Sequence, residues 1–439
     1  MNKKIFMIGW EYPPQITGGL GIACQGLAFA LARQGANVKF MVPRLYGNEK
    51  TIPGVEIFGV KEKKSLLSQK EISWLETLDR EILKKEAPKQ ISAYAQYGMA
   101  PELESREMQN LSSEEKLARQ ESSELRGGYT AEIFSEIHRY AAWASVIAKK
   151  LDFDIIHAHD WMTFPAGIAA AKATGKPLVC HIHATEFDRS GETVNQRIYD
   201  LEREAMHFCS RIFAVSDLTR TIIINRYGVE PEKVRTVHNG IDYDFNNTDF
   251  SEIRKNRPVI PEGKIVLFLG RITFQKGPDY FVRAAKQVID KIKDVKFVMA
   301  GTGDMYHRMI ELAAEMGIGR HFHYTGFVNK DQVSRLLSLA DLYVMPSVSE
   351  PFGIVSLEAM LHEVPVIMSK QSGVSEVINN SIKVNFWDVD EMANKIIHVL
   401  EHAPLHEELR KEAKKEAFSI SWEKAAEKTK HVYEEVLAR

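Results

Sequence analysis

Val344-Met345-Pro346-Ser347-Val348-Ser349-Glu350-Pro351-Phe352-Gly353-Ile354-Val355-Ser356-Leu357-Glu358-Ala359-Met360 is the stretch that decides how this chain is read. Its first residues close a strand running from Asp341 to Met345, two prolines punctuate a turn, and Ile354, Leu357 and Leu361 then fall at the i, i+3, i+7 spacing of a core-facing helix. Glu358 lies beside that stripe, where a carboxylate needs a partner or a ligand because burying an unpaired charge is costly. Glu350 stands ahead of the helix, whose free N–H groups and positive dipole end favour anions and polar ligand groups. Two carboxylates thus flank one helix start. The same pattern also fits a surface glutamate and a salt-bridged helical one, since most carboxylates are simply solvated.

Upstream, the second half of the chain alternates strand and helix. Ile265 to Leu269 reads as a strand that ends in Gly270-Arg271-Ile272-Thr273-Phe274-Gln275-Lys276-Gly277, followed by a helix to about Ile292 and a strand from Val295 to Ala300. Gly301-Thr302-Gly303-Asp304 makes a turn, and a helix to Met316, a strand from His323 to Gly326 and a helix from Asp331 to Leu339 lead back to the opening stretch. Arg271 and Lys276 project from one strand-to-helix loop, where a bidentate guanidinium and a point-charge ammonium can clamp a diphosphate. A pair of solvated surface cations is the plain alternative. The polar 244–263 segment, with Pro258 and Pro261, reads as an inter-domain linker.

The first half opens as a βαβ unit. Lys4 to Ile8 is a buried strand, Pro13 and Pro14 turn the chain into Gly18-Gly19-Leu20-Gly21, and a helical pattern from Ile22 to Arg33 precedes a strand from Val38 to Val42. Glycines at a helix start let backbone N–H groups approach a phosphate or hydroxyl, although an ordinary turn uses the same residues. About 61–128 the alternation breaks into a polar insertion: Ser65 to Glu86 has helical periodicity with Leu66, Trp74, Leu75 and Leu78, and 89–126 is poor in aliphatics. This insertion is expected on the domain rim, as a solvated decoration or as part of an acceptor site. A helix at about 131–150 then leads to the strand Asp154-Ile155-Ile156-His157-Ala158-His159-Asp160, a helix from Pro165 to Thr174, and a strand from Leu178 to His183. Alternation puts His157 with His159, and His181 with His183, on one face of each strand. Four imidazoles near strand C-termini suit zinc, and equally suit hydrogen bonding at the edge where α/β sheets bind substrates.

At 439 residues the chain exceeds one ordinary core and fits two domains. Its 44% hydrophobic and 26% charged content is that of a globular protein, and a formal net charge of −2 offers no field for nucleic acid. Three cysteines, Cys24, Cys180 and Cys209, without CxxC spacing suit a reducing compartment, and no apolar run is long enough for a membrane span, so a cytoplasmic protein is expected.

Together these motifs resemble the retaining GT-B glycosyltransferases of families 4 and 5, which include bacterial glycogen and starch synthases. The resemblance spans nearly the whole chain except the insertion. It rests on Glu11-Tyr12-Pro13-Pro14 with Gly18-Gly19-Leu20-Gly21, His157-Ala158-His159-Asp160-Trp161, His183, Asn239-Gly240-Ile241-Asp242, Gly270-Arg271 with Lys276-Gly277, and Glu350 to Glu358. It implies an α/β fold of two Rossmann-like domains facing across a cleft, an N-terminal acceptor-side domain over 1–242, a donor domain over 243–420, and a C-terminal helix over 421–439 packing back on the first domain. It further implies that Glu358 binds the donor ribose, that Glu350 with the N–H groups of Phe352 and Gly353 holds the transferred sugar, with Ile354 beside them, and that Arg271 and Lys276 neutralise the departing diphosphate. His183 looks like the family histidine that bonds a sugar hydroxyl near the anomeric carbon, Gly18 and Gly19 face the phosphates, and His159 and Asp160 fall on the acceptor side. The family uses no divalent metal and no cofactor beyond its nucleotide-sugar substrate.

The resemblance implies glucosyl transfer from UDP- or ADP-glucose to an α-glucan or another glycan acceptor, with oligomeric state unassigned. Thr17 precedes Gly18 where glycogen synthases usually carry Lys, and Glu350-Pro351-Phe352-Gly353 is more like family 4, whose acceptors range from sugars to lipids. A cell-envelope glycan, lipid or small-molecule acceptor is therefore the alternative, followed by a GT-B sugar-nucleotide epimerase and a catalytically idle sugar-binding protein.

Overall fold

The computed structural model describes residues 3–16, 18–85, 125, 133–241 and 263–438. The 89–126 part of the insertion, apart from Leu125, and the 244–262 linker lie outside the described residues.

Two all-parallel sheets carry the chain. The first holds seven strands in the order β3-β2-β1-β4-β5-β6-β7, with β1 Lys4–Ile8, β2 Asn37–Val42, β3 Val55–Gly59, β4 Ile155–His159, β5 Leu178–Ile182, β6 Arg211–Ala214 and β7 Val234–Thr236. The second holds six in the order β10-β9-β8-β11-β12-β13, with β8 Lys264–Leu269, β9 Val295–Ala300, β10 Phe322–Gly326, β11 Leu342–Met345, β12 Val366–Ser369 and β13 Ile382–Val384. Helices cover both faces of each sheet, so β4 and β5 are buried along their whole length and read as apolar runs broken only by histidines. In sequence order the helices are α1 Gly19–Arg33, α2 Gln69–Lys85, α3 Ile133–Ala148, α4 Phe164–Thr174, α5 Glu186–Ser190, α6 Gln196–Phe208, α7 Asp217–Tyr227, α8 Pro278–Lys291, α9 Tyr306–Glu315, α10 Lys330–Leu339, α11 Ile354–Leu361, α12 Val389–Glu401, α13 Ala403–Phe418 and α14 Trp422–Leu437.

Strand order reverses between β1 and β4 in the first sheet and between β8 and β11 in the second. Ligands of open parallel sheets bind at the C-terminal ends of the strands at such a switch. The glycine loop leaves β1, the His157–Asp160 run ends β4, His183 follows β5, the Gly270–Gly277 loop leaves β8 and the Glu350 turn leaves β11, whereas Gly301–Asp304 follows β9 and Asn239–Ile241 follows β7. The fold itself therefore gathers the glycine loop, the histidines, the two cations and the Glu350 turn.

The insertion is more embedded than its sequence suggests. Its helix starts at Gln69, not Ser65, because Ser68 caps it: Ser68 N and Oγ both donate to Glu71 Oε2 at 2.8 Å. Leu66 and Trp74 point outward, whereas Leu75 and Leu125 are buried in the core of the first domain. Buried Asp79 accepts from Trp143 Nε1 at 3.3 Å and pairs with Arg139, which ties α2 to α3. The described part of this segment is thus a wall of the domain rather than a solvated decoration.

The last helix returns to the first sheet. Trp422 lies against α1 so closely that a Cβ on Gly26 would stand 2.3 Å from the indole, and a Cβ on Gly240 would stand 2.2 Å from the Trp422 nitrogen. Ile241 N donates to Ile420 O at 3.1 Å, so outgoing and returning chains run together where the two sheets are joined. Overpacking such a contact costs about 1–3 kcal/mol. Gly240→Ala is expected to lower the urea midpoint with an unchanged slope, because backbone rather than a movable side chain opposes the added methyl group; a midpoint equal to wild type would show that the seam can yield.

Candidate active site

The donor-side loops are zipped together by backbone. Val348 N donates to Gln275 O at 2.9 Å, and Gly277 (φ 62°) leaves no room for a side chain, since a Cβ would stand 2.2 Å from Pro346 O. The Thr273 to Gly277 turn is thereby fixed against the turn after β11. Lys276 Nζ consequently reaches Glu350 Oε2, to which Ser347 Oγ also donates at 3.3 Å. Glu350 is buried, and its own backbone is pinned by Glu350 N to Gln371 O at 3.0 Å and Gly373 N to Glu350 O at 2.9 Å. Its carboxylate is thus paired with an ammonium, while its side chain lies beside the start of α11, where a Cβ on Gly353 would stand 3.1 Å from Glu350 Cγ. Gly353 (φ 103°) opens α11 with no side-chain cap, while Phe352 is buried. Arg271 follows Gly270 and donates from Nη2 to neutral Gln275 Oε1 at 3.2 Å. Glu358 is partly exposed; burial pushes its carboxyl up from the usual range, and the Lys330 ammonium opposes that shift.

On the facing domain, Gly18 and Gly19 are exposed at the start of α1, with no atom within 4 Å of where a side chain would be. Glu11 Oε1 accepts from Gly21 N at 3.1 Å and so takes up one first-turn N–H from inside. Below this helix the four histidines form a two-by-two array. His157 Nε2 meets His181 Nδ1 at 3.2 Å, His159 Nδ1 meets His183 Nε2 at 3.0 Å, and rings on one strand stack with centroids 4.4 Å apart. Burial, reinforced for the inner three by neighbouring imidazoles, drives all four pKa values down, that of His183 to about 3. They are neutral rings. Only His183 is partly exposed, and it faces out from under the array.

His159 and Asp160 lie beneath His183, fully covered, rather than on the wall of the cleft. Asp160 adopts φ 59°, and its Oδ1 accepts from His183 N at 2.7 Å and Ala184 N at 3.4 Å. Its part is to hold the chain that presents His183. Beyond it, Thr185 and Asp188 form a capping box at α5, and Arg189 is clamped between buried Glu186 and Glu202.

Two contacts that the sequence did not disclose cross between the domains. Ser349 Oγ donates to Asp188 Oδ1 at 2.6 Å, linking the residue before Glu350 to the loop after His183. Glu376 accepts from Asp217 N and Leu218 N, both at 2.8 Å, at the start of α7, and His238 Nε2 lies 2.9 Å away. The Thr185-x-x-Asp188 spacing was a legible cap signal; nothing local marks its partner Ser349.

Two Rossmann-like domains, with a cation–carboxylate pair at one switch point and the partly exposed His183 beside the other, have the architecture of a two-domain GT-B glycosyltransferase. Family profiles agree: the one described as "Glycosyltransferase Family 4" matches 113–245, and "Glycosyl transferases group 1" matches 249–416. The chain is a GT-B glycosyltransferase that carries a family 4 region followed by a group 1 region. An uncharacterized glycosyltransferase of Methanocaldococcus jannaschii is 28% identical over 98% of this chain and 97% of its own. The sucrose-phosphate synthase of Thermosynechococcus elongatus superposes with a TM-score of 0.71 at 18% identity over both whole chains. The catalytic domain of starch synthase IV of Arabidopsis thaliana, bound to ADP and acarbose, does so with 0.67 at 14% identity, again over both whole chains.

The Glu202 carboxyl gives a pH test of how the His183 loop is held. Burial pushes it up to about 7, against the pull of the Arg189 guanidinium and the Tyr227 hydroxyl. A carboxyl that binds its proton more tightly folded than unfolded loses stability as pH rises from the unfolded value, about 4.3, to the folded one, and the loss is complete above it. Glu202→Gln is therefore expected to gain stability relative to wild type between pH 5 and 8 in urea titrations. A constant difference across that range would place the Glu202 carboxyl in the ordinary range.

Proposed function

We propose that this enzyme moves a glucosyl unit from UDP- or ADP-glucose to an α-glucan or short maltooligosaccharide, with retention of the anomeric configuration. The observation that carries the donor side is the Lys276–Glu350 pair, fixed by backbone at the β8/β11 switch and tied through Ser349 and Asp188 to the His183 loop. In this reading Glu358 takes the ribose hydroxyls, and Glu350, with the N–H groups of Phe352 and Gly353 and with Ile354 beside them, holds the sugar. Arg271 and Lys276 take the charge that grows on the diphosphate, and the exposed N–H groups of Gly18 and Gly19 face it from across the cleft. A preorganised cation acts most strongly on charge that develops in the transition state. These fixed cations do what a divalent ion would do elsewhere, so the reaction is read as metal-independent, and the composition as that of a cytoplasmic enzyme.

The glucan acceptor is supported by the glycine loop and the His-Ala-His-Asp-Trp run, and by the starch synthase among the structural neighbours. A second reading is favoured by one observation: His159 and Asp160 are buried, so that run shapes His183 rather than an acceptor surface. Small sugars or envelope components then become the acceptor class, in keeping with the sucrose-phosphate synthase neighbour.

Lys276→Ala is expected to lower kcat by about 10²–10³ with little change in donor affinity, as removal of a transition-state electrostatic partner does. An unchanged kcat with a raised KM would remove the leaving-group role. A panel of UDP-, ADP- and GDP-sugars, read as nucleotide release with and without maltooligosaccharide, tests the acceptor, and product NMR tests the stereochemistry. An α linkage formed from the α-linked donor is expected. A β linkage overturns retention, and release stimulated only by a small alcohol or lipid moves the enzyme to the second reading.

A further inference from the structure

Three clusters of metal-ligating side chains occur among the described residues, and they differ in whether an ion could reach and hold them. His157, His159 and His181 lie fully inside the first sheet, and both nitrogens of His157 are already engaged, Nδ1 by Tyr433 Oη and Nε2 by His181. Asp217, His238 and Glu376 are committed to each other and to the α7 backbone. The third cluster is different. Cys24 on α1, His159 at the end of β4 and His183 just beyond β5 each offer a ligand atom, all within 4.8 Å of one another, with His183 partly exposed toward the cleft.

We propose that Cys24, His159 and His183 form a binding site for a thiophilic divalent cation of the zinc class, and that the bound ion inhibits transfer by taking His183 out of use. Sulfur and two imidazoles are ordinary zinc ligands, with bonds of about 2.3 Å and 2.0–2.1 Å, so the donors need to close by at most about 1.5 Å around a tetrahedral ion. Both imidazoles are held neutral by burial, which is the form that ligates, and the nitrogens that already face each other, His159 Nδ1 and His183 Nε2 at 3.0 Å, are the ligating pair. Burial first, and the carboxylates of Asp160 and Glu11 after it, push the Cys24 thiol up and keep it protonated, so an ion binds there only by displacing the thiol proton. Binding leaves both rings neutral, exchanges their shared hydrogen bond for two metal–nitrogen bonds, and releases one proton, that of the Cys24 thiol; water completes the coordination. The site shares His183 with the proposed reaction, which is itself read as metal-independent, and the inhibitory effect rests on the role of His183 in that reaction.

The test uses the full-length protein with cobalt(II) as a spectroscopic probe and zinc as competitor and inhibitor. Wild type should develop a sulfur-to-cobalt charge-transfer band that zinc abolishes, and Cys209→Ser should develop it equally. Cys24→Ser and Cys24→Ala should lack the band, keep basal activity, and require at least about tenfold more zinc for half-inhibition, since loss of a ligand should cost no less than the 10–100-fold typical of outer-shell changes. A band that survives in both Cys24 variants, or zinc inhibition with the same midpoint in them as in wild type, overturns the proposal. A Cys24-dependent band without inhibition upholds the site and overturns the role given to His183. If no transfer is detected with any donor, the cobalt titration still decides whether the site exists.

Discussion

Two parallel sheets can work on one bond only if their C-terminal edges are held face to face, and in this chain that constraint is met where Gly240 touches the Ser421–Trp422 backbone. The contact has no space for a side chain on either Gly240 or Gly26. From it α14 runs across α1 into the core of the first domain, ending with Tyr433 against His157. The same helix that closes the chain therefore supports the floor on which the histidines sit. Ile354, at the start of α11, packs against this first-domain cluster as well as its own, so the donor-side helix is seated on both bodies.

Within that frame the charge arrangement follows from burial. Glu350 is nearly inaccessible, and a buried carboxylate left alone would be costly, so the chain supplies Lys276 through a turn that glycine alone can make at Gly277. Removing one partner of such a pair costs about 3–5 kcal/mol because the other is left charged in a poor environment. A diphosphate arriving at the cleft does not meet a bare ammonium. In the donor mode proposed above it would compete with Glu350 for Lys276, and the sugar would engage Glu350 as that competition loosens the pair. Arg271, hydrogen-bonded to a neutral amide, has no carboxylate competing at that bond.

Much of this was legible because it is local. Strand-loop-helix alternation, the Gly270 to Gly277 loop and the Glu350/Glu358 spacing are encoded in short stretches, and the structure finds those elements within a few residues of where periodicity puts them. The edge strand β3 was passed over although Val55, Ile57 and Phe58 carry an apolar signal, whereas β13, Ile382–Val384, is only three residues long and is defined by pairing to β12. Helical period named Leu66, Trp74 and Leu75 together without saying which are covered; Leu75 is buried, whereas Leu66 and Trp74 are exposed. The links from Ser349 to Asp188 and from Glu376 to α7 join residues more than 150 positions apart, and no spacing rule reaches that far.

The histidine array shows how burial selects among chemistries that the residue type alone leaves open. A catalytic base works best when its pKa lies near the operating pH. His183, lowered to about 3, is far from that condition, and its inner neighbours are lower than their usual value for the same reason. An imidazole that stays neutral across the physiological range can neither accept a proton efficiently nor present a cation to the sugar. It can still donate or accept one well-aimed hydrogen bond. The structure invests in aim: His159 holds one ring nitrogen, and Asp160, in a backbone conformation uncommon for a side-chain-bearing residue, fixes the peptide that carries the ring. That supports the positioning role at a sugar hydroxyl proposed above, and it is compatible with the proposed retention, which would not call on a protein base at His183.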